Sequence, residues 1–164
     1  MNDNQKNQDS EKIRYALGLF ARIDDLEKAI LAIKAAELPL IQVKVIAPPV
    51  PPGTVSEWGQ RIAPLGVETW IVSEASGPCP WDMAPVSPKP THPPRTKRDV
   101  MPNFHIWALE RHAQQLDRHL RAGGGIAVVQ VKTDAEERVA YAILLRHATA
   151  GVQTHEVRNI QDSR

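Results

Sequence analysis

A strand, a helix and a second strand are written into this chain twice, once near each end, and the two copies leave few folds open. In the C-terminal copy, Ile126 to Val131 is an unbroken apolar run, long enough for a buried strand and too short for a helix. Thr133 or Asp134 follows as a helix cap, with Glu136 or Glu137 three residues on to complete a capping box. Gly151 is placed to close the last turn in the left-handed conformation, and Val152 to Ile160 reads as a more polar strand. The N-terminal copy has the same order. Ile13 to Ala21 is a largely apolar strand in which Gly18 leaves room for a close neighbour. Asp24, with Glu27 three residues later, signals a helix start, and Ile23, Leu26, Ile30 and Ile33 form its apolar stripe. Leu38-Pro39 ends that helix, because proline disfavours helical geometry in the residue before it. Ile41 to Ile46 then alternates as a half-buried strand.

The character of each strand predicts its place. The first strand of each copy is nearly all apolar and belongs inside a sheet; the second is mixed and belongs at an edge. A four-stranded sheet of order 4-1-3-2 meets both demands, which is the ferredoxin-like split βαβ arrangement of the α/β (α+β) class. Both repeat helices then cover one face. The other face needs the insertion or a second subunit to cover it.

Residues 47–102 separate the copies and hold 13 of the 14 prolines. Thr54 to Ile62 has the pattern of a short helix and Val67 to Ser73 that of an extra strand, while 77–102 has the composition of an irregular proline-rich loop. Asn103 to Arg121 reads as an extra helix, stopped by Gly123, Gly124 and Gly125. Residues 1–12 are polar with no apolar core and predict a disordered tail, neither signal peptide nor anchor. One ferredoxin-like domain over 13–164, carrying the insertion, is the expected organisation. A net charge of +1 gives no reason to expect nucleic acid, no apolar run approaches the length of a membrane span, and Cys79 alone forms no internal disulfide. A cytoplasmic protein without membrane insertion is the expectation.

The pattern ALGLF, DDLEKAILAIKAAEL and VKVI, then a long middle, then a helix running into GGGIAVVQV, resembles the general stress protein family. The resemblance implies a ferredoxin-like βαβ pair split by an insertion, with a possible stress-related role. It brings no activity with it. The polar, proline-rich middle departs from the Gly/Ala-rich apolar segments of that family.

Candidate chemistries are few. Gly123 to Gly125 follow a helix and precede a strand, the reverse of a phosphate loop, so they read as a helix cap and a site of close packing. His105, His112 and His119 recur every seven residues, about 10.5 Å apart along a helix axis, too far for one metal ion. No metal is expected. Ile106, Leu109, Ala113, Leu116 and Leu120 make a heptad stripe on the same helix, flanked by the histidines and by Glu110 and Asp117. That stripe reads either as the sheet-facing side of an amphipathic helix or as a subunit contact. Ile106, Leu109, His112, Leu116, His119 and Leu120 are the candidate interface residues. Cys79-Pro80 resembles a haem-regulatory dipeptide, but so short a motif arises by chance too often to carry a cofactor, and none is expected. Lys89 to Arg98 is a basic run with PxxP spacing, a solvated linker or a proline-rich ligand. No catalytic constellation stands out. The expected function is a non-catalytic binding or assembly module whose partner is itself or another protein. The alternative is a small-molecule-sensing regulatory domain with its ligand at a subunit interface.

Overall fold

A computed structural model describes residues 12–39, 42–51, 53–75, 83–86 and 113–158. Six strands form one mixed sheet: β1 (Lys12–Phe20), β2 (Val43–Val50), β3 (Glu68–Ser73), β4 (Met83–Pro85), β5 (Gly125–Val131) and β6 (Gly151–Arg158). Their spatial order is β4-β3-β2-β5-β1-β6. The four-stranded sheet expected from the repeats is therefore incorrect. The insertion adds β3, parallel to β2, and β4, antiparallel to β3, so β2 becomes an interior strand. Part of the stretch expected as irregular loop is β4. β2 also runs further than alternation predicted, through Pro48 and Pro49. The β2–β3 ladder shifts register between Ala47 and Val50, where two residues without N–H donors interrupt it.

Four helices pack on the sheet: α1 (Ile23–Ala35), α2 (Glu57–Ile62), α3 (Ala113–Arg121) and α4 (Asp134–His147). Strand periodicity divides the core in two. Ala16, Phe20, Val43, Val45, Ala127 and Val129 face α1, α2 and α4, which we call the first face. Tyr15, Leu17, Leu19, Ile46, Ile126 and Val128 point the other way, against Leu116 and Leu120 of α3, on the second face. Leu116 and Leu120 are buried within the chain, so this part of the stripe faces the sheet, the first of its two readings. Gly18 sits where close approach was expected: a Cβ there would lie 2.8 Å from the Phe20 ring and 2.9 Å from Leu144.

The helix ends differ from the sequence reading in three places. Asp24 does not cap α1; Arg22 is the cap residue and contributes no side-chain hydrogen bond. The helix stops before Leu38, in a Schellman motif that sets Glu37 at φ 62°, with Glu37 N–H donating to Lys34 O and Leu38 N–H to Ile33 O. Gly123, at φ 94°, closes α3 with the same pair of bonds, to Leu120 O and His119 O. Gly151 does not close α4, whose cap residue Ala148 is extended; it opens β6 instead. At the other end of α4, Thr133 Oγ1 accepts from Glu136 N–H at 3.1 Å, and Glu136 Oε2 accepts from Lys132 N–H at 2.8 Å. This is a capping box with its return bond one residue early.

Candidate interaction surface

The charged residues nearest the sheet are held in pairs. On the second face, Lys44 and Glu68 occupy opposite positions of the β2–β3 ladder and form an ion pair. Trp70, two residues along the same strand and so on the same face, donates its Nε1–H to Glu68 Oε1 at 2.9 Å. One carboxylate thus accepts from both neighbours. Tyr15 lies buried on this face, and burial pushes its hydroxyl pKa above the ordinary 10.0.

On the first face, two arginines tie helices together. Arg61 of α2 pairs with Asp24 and Glu27, which lie one turn apart on α1. The D-x-x-E spacing that read as a cap is in fact a clamp for Arg61. The hydrogen bond from Arg61, then its charge, holds the Asp24 carboxyl below its ordinary 3.8. Arg14 of β1 reaches the first turn of α4, pairing with Asp134 and, at 3.1 Å, with Glu137. These groups fasten elements to one another; they do not converge on a cleft. Among the described residues no three His, Cys, Asp or Glu side chains gather as metal ligands, and no helix is long and apolar enough to cross a membrane.

What the described surface does offer is apolar. Five large hydrophobic residues are exposed: Leu31 at 51 %, Val139 at 40 %, Tyr141 at 38 %, Leu145 at 59 % and Val55 at 67 %. Four of the five lie on α1 and α4, which pack side by side. Tyr141 and Leu145 are one turn apart and so share a flank of α4. Apolar residues scattered singly on a surface need no explanation, and Leu31, Val139 and Val55 stand apart in this way, whereas Tyr141 and Leu145 together on one flank point to a contact surface.

No known protein family, characterised protein or solved structure matches the chain.

Of the residues singled out beforehand, Leu116 and Leu120 lie in the core beneath α3, and His119 is half-buried with its Nε2 3.0 Å from Gly125 O. The His119 ring also covers Gly124, and the Trp58 ring covers Gly125, so neither glycine has room for a side chain. Together with the left-handed Gly123 this accounts for the triplet as cap and close packing. His105, Ile106, Leu109, Glu110, His112, Cys79-Pro80, Lys89 to Arg98 and residues 1–11 lie outside the described residues. Tyr141 and Leu145 were missed. Their signal is in the sequence: AYAILL, residues 140–145, is apolar throughout, and a helix that needs only one side buried has no use for six such residues in a row.

Proposed function

We propose that this chain is a binding or assembly module that self-associates and performs no chemistry of its own, with the flank of α4 that carries Tyr141 and Leu145 as its contact surface. The observation that carries this reading is the exposure of Tyr141 and Leu145, one turn apart on one flank of α4. Burying one such side chain is worth roughly 1.5–3 kcal/mol, so the two together supply a useful part of the free energy of a contact. The pairwise engagement of Arg14, Lys44 and Arg61 supports a role other than catalysis, since each charge is directed at a neighbouring element. On this reading the repeat strands, contiguous as β6-β1-β5-β2, are a ferredoxin-like core to which β3 and β4 have been added beyond β2. The resemblance to general stress proteins is in keeping with such a module. The test is sedimentation of the wild type beside Leu145→Glu, a substitution at an exposed position. We expect the wild type to sediment as an oligomer and the variant to dissociate without a fall in melting temperature. A wild type that stays monomeric at high concentration overturns self-association.

A further inference from the structure

The two ends of the sheet are not alike. At one end β4 is three residues long and contains Pro85, which has no N–H to offer. At the other, β6 runs for eight residues without proline or lysine and, among the described residues, pairs with β1 alone. Natural proteins blunt a sheet edge with short strands, proline or charged side chains, lysine above all, because an open edge is a template for another strand. The β4 end is blunted by its shortness and its proline. The β6 end is long and free of proline, and its charges, Glu156 and Arg158, fall in its last three residues.

We infer that β6 pairs antiparallel with β6 of a second copy of this chain, joining the two sheets edge to edge, an inference that rests on the assembly reading and assigns its partner and geometry. Two further features favour a second copy over an unrelated strand. First, the apolar flank of α4 lies where such a pairing needs it. Ala140 and Leu144 turn toward the sheet, and a right-handed β5-α4-β6 crossover sets Tyr141, about 100° further round the helix, on the flank away from α1 and above β6. Leu145 follows one turn later on that same flank. A two-fold axis normal to the sheet brings the α4 helices of the two copies together along this flank, so Tyr141 and Leu145 meet their own counterparts.

Second, the size is adequate. Eight residues of strand span about 27 Å, and a strip of that length, one helix and one sheet layer deep, is roughly 500 Å² per copy. The total of about 1,000 Å² reaches the lower limit for a specific contact. N–H and C=O groups alternate in direction along a strand, so a strand pairs with itself only when the two-fold passes through a residue. Centred on Thr154, the pairing engages seven of the eight residues and sets two threonines opposite each other, a favourable cross-strand pair. Thr154 is exposed, and it stands in the register position of Ala16, on the α4 side of the sheet.

The test uses the full chain in three forms, wild type, Thr154→Lys and Thr154→Asp, sized by sedimentation. Each variant alone places like charges face to face on the axis, and we expect its dimer Kd to rise at least tenfold with the melting temperature of the monomer unchanged. An equimolar mixture of the two variants should recover the dimer, since Lys then faces Asp. If both variants dimerise as the wild type does while Leu145→Glu dissociates, the assembly reading stands and β6 pairing is overturned. Failure of the mixture to recover the dimer overturns pairing about Thr154. A monomeric wild type overturns both.

Discussion

The two faces of this sheet are closed by different means. The first carries three helices, two of them of 13 and 14 residues, held to their neighbours by Arg14 and Arg61. The second carries α3, nine described residues long, whose apolar side is spent on Leu17, Leu19, Ile46 and Val128. Among its polar contacts, Gln115 Oε1 accepts from Gln153 and Arg121 donates to the carbonyl of Glu74. The layer with helical surface to spare is thus the one that also holds the exposed apolar residues. Closing a face and presenting a surface are separate tasks here, and they fall to different helices.

Truncating the core on each side gives the largest effect. Phe20→Ala on the first face should cost about 3–5 kcal/mol, because Gly18, Leu144 and α1 are fixed around the ring and leave a cavity. Leu116→Ala should cost about 2 kcal/mol, near the low end for a buried leucine, because α3 is the one described helix on this face and can settle into the space. Urea unfolding of both variants measures the difference. Equal losses would mean that α3 is held as rigidly as the paired helices opposite.

The next effect is smaller and compares one motif in two places. Glu37 and Gly123 occupy the same left-handed position in two Schellman motifs, one on each face. Gly123→Ala should destabilise by about 1 kcal/mol, and Glu37→Gly should stabilise by up to about 1 kcal/mol, since only glycine takes this conformation without a steric penalty. Thermal melts resolve both shifts, and their opposite signs are the point to check.

The last effect is a dependence of stability on pH, and it shows only toward the extremes. Tyr15 has a raised pKa in the folded chain, so above pH 10 the unfolded chain loses its proton first and stability falls as pH rises toward the folded value. Asp24 has a lowered pKa, so its contribution is complete above the ordinary carboxylate range and is lost as pH falls through it. A stability profile across pH should therefore lose its alkaline slope in Tyr15→Phe and flatten slightly at the acid end in Arg61→Ala. The acid change is the smaller, because that pair is exposed to solvent.

Much of the first face was legible in the sequence. Leu26, Ile30 and Ile33 recur at helical spacing and are all buried, and the apolar run at 126–131 is a central strand, because periodicity reports burial directly. Val67 to Ser73 was readable as a strand, but not which edge it joins, since nothing in VETWIVS specifies a parallel partner. Asp24 and Glu27 misled because a cap and a clamp need the same two residues at the same spacing; only the placement of Arg61, 34 residues beyond Glu27, decides between them. The stripe on α3 left two readings open for a related reason. An apolar side at heptad spacing fits a sheet as well as another helix, and the choice depends on which strands lie opposite. Tyr141 and Leu145 could have been found by asking which apolar residues α4 has no room to bury.

One consequence of the strand order concerns time. Among the described strands β1 comes earliest in the chain, yet its partners on both sides come latest: Leu17 pairs with Val128 and with Gln153. While the chain is being made, β1 has no neighbour in the sheet, and β2 has only β3. The apolar side chains of β1 must wait for strands more than a hundred residues further on to emerge. Closing so long a loop late favours slow folding and leaves Leu17, Leu19 and Phe20 open to other partners in the interval. A nascent chain of this protein therefore depends on β5 and β6 to complete its sheet, and truncation after β5 would strand β1 with one edge bare.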